Sequence, residues 1–197
     1  MSLEHQAKPA LRQQLRERRQ HLAPAFRAQA ATAAAALAPG LPGWLNTRHI
    51  AMYWPGDGEL DPLPLADACR EQRRALYLPV LAPGKRLLFR RWQVATNLVP
   101  NRFGIPEPDA DSPHRAAAGM DIIFLPLVGW RRDGYRLGMG GGFYDRTLGG
   151  VDRPLRVGLG FDCQEIVGGP AAEPWDVGLD YVLTETALHR CERAASA

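Results

Sequence analysis

Apolar positions follow two rhythms along this chain. Over residues 8–22 they recur at helical spacing, with Leu11, Leu15 and Leu22 on one stripe. The alanine-rich stretch 24–37 predicts a second helix, stopped by Pro39-Gly40-Leu41-Pro42-Gly43. The pattern then changes to short, continuous apolar runs at 49–54, 76–81, 87–92, 121–127, 156–161 and 181–184. Each predicts a strand, 87–92 an antiparallel one at a sheet edge. A helix is predicted over 62–74 and another from Tyr144 to about Leu148, whereas 101–117, rich in Pro and Asp, predicts an irregular surface loop. Runs that are apolar throughout, without two-residue alternation, are typical of strands covered on both faces. The order of helices and strands therefore predicts an α/β fold: a single three-layer domain, 1–197, with an open, mostly parallel, Rossmann-like sheet flanked by helices. In such sheets ligands gather beyond the C-terminal ends of the strands.

A length of 197 residues suits one hydrophobic core. Cys69, Cys163 and Cys191 are odd in number and lack CxxC spacing, which argues against a disulfide framework and a zinc site. No apolar run approaches the roughly 18 residues of a membrane span, and the N-terminus lacks the apolar centre of a secretory signal. These features predict a cytoplasmic protein without membrane association. Net charge is only +3, and Lys8 and Lys85 are the sole lysines among 24 basic residues. Arg12, Arg16, Arg18 and Arg19 crowd the first helix, but no aromatic platform accompanies them, so nucleic acid is not an expected partner. On a helical wheel Lys8, Arg12 and Arg19 border the apolar stripe, where a ligand could be clamped. A solvated charged face explains the same three residues, and periodicity alone favours it.

The densest chemistry lies in Arg136-Leu137-Gly138-Met139-Gly140-Gly141-Gly142-Phe143-Tyr144-Asp145-Arg146, after the strand predicted at 121–127. Its glycines allow positive φ and close backbone approach, and successive amides in such a loop can form a nest for phosphate oxygens. A plain turn is the other reading of a glycine cluster. The loop is not a Walker A motif, because no Gly-Lys-Ser/Thr ends it, and it departs from the dinucleotide fingerprint. Asp145 could ligate a metal or simply stabilise a helix start. Trp54 and Glu59, just after the first strand, fall at the same end of the sheet and could face the same pocket. The five histidines share no ligand spacing.

Taken together, these segments resemble the 5-formyltetrahydrofolate cyclo-ligase family, also called methenyltetrahydrofolate synthetases. The resemblance spans almost the whole chain: Lys8-x-x-Leu11-Arg12, Gly58-Glu59-Leu60-Asp61, Tyr77-Leu78-Pro79-Val80, Gly104-Ile105-x-Glu107-Pro108, Leu125-Pro126-Leu127-Val128 and the glycine block. It implies conversion of 5-formyltetrahydrofolate and ATP to 5,10-methenyltetrahydrofolate, ADP and phosphate, with Mg2+, by a monomer acting on small molecules. By position it implies ATP contacts at Lys8, Pro9, Ala10, Leu11 and Arg12, and at Arg136, Leu137, Gly138, Met139, Gly140, Gly141, Gly142, Phe143 and Tyr144. Arg136 and Tyr144 become the catalytic candidates. Folate contacts are implied at Trp54, Glu59, Met139, Gly140, Gly141, Gly142 and Phe143. Asp145 matches a magnesium ligand and Asp176 the region of a second, with Asp180 as the competing register. One departure is Pro62, where many members carry Thr; proline suits a first helical position. A homologue that binds nucleotide or folate without catalysis, or that prefers another substrate, stays open.

Overall fold

The computed structural model describes residues 8–192. Helix α1 (Lys8–Gln20) turns Leu11, Leu15 and, unexpectedly, Arg19 inward. Helix α2 (Pro24–Leu37) starts on a proline, whose missing N–H and fixed φ suit that position. Helix α3 (Leu63–Glu71) is shorter than predicted. Pro62 stands just ahead of its first residue, and Asp61 Oδ1 accepts the Leu63 N–H at 2.9 Å. The helix therefore starts one residue later than proline preference suggests, on a carboxylate.

The strands in chain order are β1 (His49–Ala51), β2 (Ala75–Ala82), β3 (Arg86–Arg91), β4 (Leu98–Pro100), β5 (Pro106–Pro108), β6 (His114–Arg115), β7 (Ile122–Pro126), β8 (Gly129–Trp130), β9 (Arg136–Leu137), β10 (Leu155–Leu159), β11 (Tyr181–Leu183) and β12 (Leu188–Arg190). Eight form one sheet in the order β12-β11-β10-β7-β1-β2-β3-β6. The five strands from β11 to β2 run parallel, and antiparallel β12, β3 and β6 complete the edges. The mostly parallel α/β sheet expected from the apolar runs is thus present, and 87–92 is antiparallel as predicted, although the short β6 pairs outside it and takes the edge. Two expectations need correction. The stretch 101–117 holds β5 and β6, and β5 pairs with β4 in a small hairpin. The glycine loop does not leave the central strand directly, because the β8–β9 hairpin intervenes. Both hairpins are two or three residues per strand, too short for an apolar run to mark them.

Alternate residues of the central strands serve opposite faces. Ile50, Ile122 and Phe124 pack in the cluster that holds the inward residues of α2 and α3. Ala51, Ile123 and Leu125 join a second cluster with Leu148 of helix α4 (Phe143–Leu148). No helix among the described residues is long and apolar enough to cross a membrane. From β1 the chain continues to β2 on one side, while β7 pairs with the other side of β1. Loops leaving β1 and β7 therefore diverge and open a crevice at the C-terminal end of the sheet.

Leu11 and Leu15 dock α1 on Val128, Tyr135, Leu137 and Ile166, beside that crevice. Leu15→Ala should lower the unfolding free energy by about 3 kcal/mol, the usual cost of a buried leucine cavity. Denaturant titration measures it.

Candidate active site

One cleft of about 1110 Å³ occupies the crevice, lined by Lys8 and Arg12 of α1, Trp54 and Glu59 after β1, the whole of 135–146, and Asp176. These four segments, far apart in sequence, thus meet in one place. Pro9, Ala10 and Leu11 do not line it: Pro9 and Ala10 are exposed on α1, and Leu11 is buried in the core. Helical geometry explains this, since only one face of the first turn can meet the cleft.

The glycine loop is held from outside by guanidinium groups. Arg12 Nε donates to Gly138 O at 2.8 Å, and Arg146 Nη1 donates to Gly141 O and Gly142 O at 3.0 and 3.1 Å. Gly140 and Gly142 have φ of 91° and 67°, so the chain turns left-handed twice within three residues. Side chains are excluded by crowding as well: a Cβ on Gly138 would lie 2.7 Å from Arg136 Nη1, and one on Gly141 2.8 Å from the Phe143 ring. Three of the five carbonyls of residues 138–142 are engaged by arginine, and their N–H groups have no acceptor among the described residues. Unpaired amides in such a loop make a nest for an anion.

Charge is arranged around this nest in pairs. Arg136, nearly buried, places Nη2 at 3.1 Å from Asp145 Oδ1 and its guanidinium 5.5 Å from the Tyr144 ring centre. Asp145 Oδ1 also accepts the Val177 N–H at 3.2 Å, which sets Asp145 and Asp176 on one wall. Asp176 Oδ2 accepts the Glu173 N–H at 2.9 Å and lies 3.5 Å from Lys8 Nζ. Burial works against the Lys8 ammonium, but Tyr135, Asp176 and Glu173 outweigh it and raise its pKa. Asp180 is elsewhere: its carboxylate accepts the Arg156 N–H at 2.8 Å between β10 and β11. Of the two aspartates, Asp176 lines the cleft and Asp180 does not. Asp145 and Asp176 keep Oδ2 and Oδ1, respectively, free of hydrogen bonds among the described residues, and such hard oxygens suit Mg2+. Among the described residues no group of three acidic, histidine or cysteine side chains is placed to hold a metal ion.

On the opposite wall, burial raises the Glu59 pKa, opposed by Arg19 and the Gly56 N–H. Its Oε2 accepts that N–H at 3.1 Å, and Oε1 is 3.9 Å from Arg19 Nη2. Burial likewise raises the Tyr144 pKa strongly, so the phenol stays neutral. Trp54 meets Trp92 edge-on at 6.1 Å. The periodicity argument missed Phe103 and Ile105, which line the cleft from the β4–β5 hairpin, Phe103 lying edge-on to Phe143 at 6.1 Å. The Gly104-Ile105-x-Glu107-Pro108 match was the available signal. Glu107 fastens that hairpin, accepting from Leu81 N at 2.9 Å and Asn101 Nδ2 at 2.7 Å.

A divergent crevice in a mostly parallel sheet, a loop of unpaired main-chain amides and two aspartates on one wall define an α/β protein with one cleft at the C-terminal end of its strands. The family model for the 5-formyltetrahydrofolate cyclo-ligase family matches residues 4–185. A 5-formyltetrahydrofolate cyclo-ligase of Haemophilus influenzae is 40% identical over 143 residues, 70% of this chain and 76% of that protein. One from Escherichia coli is 36% identical over 175 residues, 86% of this chain and 96% of that protein. The solved structure of Aquifex aeolicus 5,10-methenyltetrahydrofolate synthetase superposes with a TM-score of 0.81 at 28% identity, covering 96% of this chain and 95% of that one. The chain belongs to the 5-formyltetrahydrofolate cyclo-ligase family and is an enzyme of the ligase class.

Arg16, Arg19 and Gln20 all converge on Asp57, with Arg16 Nε at 2.6 Å and Arg19 Nη2 at 2.8 Å. The Arg16 hydrogen bond, helped by Arg19 and Gln20, holds the Asp57 carboxyl below the usual aspartate range. A depressed folded pKa stabilises above the unfolded value and is lost as pH falls through the folded one. Asp57→Asn should cost about 3 kcal/mol at neutral pH by stranding buried Arg19, and should flatten the acid limb of stability. Chemical denaturation across pH 2–7 reads both effects, with the limb expected below roughly pH 5.

Proposed function

We propose that this enzyme converts 5-formyltetrahydrofolate and ATP to 5,10-methenyltetrahydrofolate, ADP and phosphate, with Mg2+, as a cytoplasmic monomer. The observation that carries the reading is the meeting of Lys8, Arg12, Glu59, Arg136, Asp145 and the glycine nest in one cleft. A formyl oxygen on nitrogen is a poor leaving group at neutral pH. Transfer of the γ-phosphoryl group to that oxygen makes phosphate the leaving group. N10 then attacks the formyl carbon and gives up its proton, the new C–N bond closes the ring, and the C–O bond breaks as phosphate departs carrying that proton.

Such chemistry asks the protein for position and charge compensation. In this reading the amides of 138–142 cradle the phosphates, with Lys8 and Arg12 above them. Arg136, oriented by Asp145, faces charge growing on the transferred group, and neutral Tyr144 packs between it and Glu59. Asp145 and Asp176 would hold Mg2+, which when bound offsets phosphate charge. Trp54, Phe143 and Met139 enclose flat rings, and Glu59 accepts hydrogen bonds from pteridine N–H groups.

The direct test is appearance of the methenyl product by absorbance, with and without ATP or Mg2+. ATP-dependent product is the expected result, and its absence sinks the assignment. Asp145→Asn should lower kcat by about a hundredfold or more while the unfolding transition persists. Because Glu59 takes up its proton at higher pH than an ordinary carboxylate, kcat/KM for the folate should fall early on the acid side. Glu59→Gln should remove that limb.

A further inference from the structure

Six cationic side chains line the cleft: Lys8, Arg12, Lys85, Arg136, Arg146 and Arg156. Five are bound to the protein itself. Lys8 lies 3.5 Å from both Glu173 and Asp176, Arg12 and Arg146 hold loop carbonyls, Arg136 pairs with Asp145, and Arg156 donates to Val151 O at 2.7 Å. Lys85 alone among them has neither hydrogen bond nor ion pair to any described residue. It sits exposed at the tip of the β2–β3 hairpin, where Gly84 and Lys85 have φ of 72° and 55°. This turn follows the C-terminal end of β2, the neighbour of β1, and two residues on Leu87 donates its N–H to Thr147 Oγ1 of α4 at 2.8 Å.

Between Glu59 and this lysine the lining is mostly apolar, its polar members Asn101 and Glu107 being hydrogen-bonded to each other. Pro79 and Leu81 come from β2, Leu87 from β3, and Phe103 and Ile105 from the hairpin fastened to Leu81 by Glu107. A polar wall, an apolar corridor and a free cation in sequence match an amphiphile with a flat polar ring, an aryl spacer and a terminal carboxylate. A folate has that order: pteridine, aminobenzoyl ring, glutamate.

We infer that Lys85 receives a carboxylate of the glutamyl tail and so makes tail recognition part of substrate choice. The inference rests on the proposed reaction with a reduced folate. The pteridine then lies toward Glu59 and the tail leaves along β2.

The test compares wild type, Lys85→Met and Lys85→Arg. For Lys85→Met, KM for 5-formyltetrahydrofolate should rise about fivefold at low ionic strength, the scale of one exposed ion pair. KM for ATP and kcat should stay within twofold, added salt should narrow the difference, and Lys85→Arg should restore affinity. An unchanged folate KM, or an equal rise in KM for ATP, overturns the inference. A second measurement needs no turnover: quenching of tryptophan fluorescence by p-aminobenzoylglutamate, with p-aminobenzoate as control. The glutamate-bearing fragment should bind wild type more tightly than Lys85→Met, and the control should bind both alike. Equal binding of the first fragment to both proteins overturns the inference as well. If wild type forms no methenyl product, the reaction assignment fails by itself, and the fragment titration still decides the role of Lys85.

Discussion

A buried guanidinium organises this molecule. Arg19 is fully enclosed, and a charge taken out of water is tolerable only with close partners. It donates from Nε to Asp57 O at 2.9 Å, from Nη1 to Leu127 O at 3.0 Å and from Nη2 to the Asp57 carboxylate. Asp57 lies in the loop after β1, and Leu127 just beyond β7. One side chain of α1 therefore spans the two loops whose divergence opens the cleft. With Leu11 and Leu15 buried beside it, α1 can dock in only one register, and that register sets Lys8 and Arg12 over the glycine loop. Glu59, two residues past Asp57, is brought within 3.9 Å of the same guanidinium. Both walls of the site are thus referred to one helix.

The fold was largely legible because it is a buried parallel sheet. Strands covered on both faces must be apolar throughout, so 121–127 and 156–161 announce themselves without any partner being known. The short hairpins do not, since β8 and β9 contribute two residues each and owe their pairing to a turn and to the docking of α1. Arg19 marks the limit of periodicity. On a wheel it borders the apolar stripe, where a solvated face and a clamp look alike. What decides between them is Asp57, 38 positions away, which no local pattern can supply.

The site was legible by a different route. Chemistry-bearing residues in fixed order along the chain marked the glycine loop, Glu59 and Lys8 through Arg12. Three-dimensional packing then sorted them. Pro9, Ala10 and Leu11 belong to the matched segment yet point elsewhere, as any consecutive run on a helix must. Asp180 is engaged at the sheet end, whereas Asp176 lines the cleft, a difference of one helical turn's worth of sequence that only coordinates resolve. Pro62 shows how a departure can be accommodated: Asp61 supplies the helix start with an acceptor, and Glu59 keeps its place.

The arginines around the glycine loop point to a physical economy in how an anion is held. Arg12 and Arg146 are directed at loop carbonyls, so their positive charge reaches the nest without occupying it. A phosphate would then meet main-chain N–H groups whose orientation is fixed by the backbone, beside cations already tied to the loop. Fixed dipoles need little reorganisation when charge shifts during transfer, whereas flexible side chains would have to follow it. The left-handed glycines are the condition for this arrangement, because a Cβ at Gly140 or Gly142 would be strained by conformation and would approach those same guanidinium groups, to 3.4 Å from Arg12 and 2.5 Å from Arg146. The glycine spacing and the arginine spacing are therefore linked: the left-handed turns at Gly140 and Gly142 lie between carbonyls held by Arg12 and Arg146.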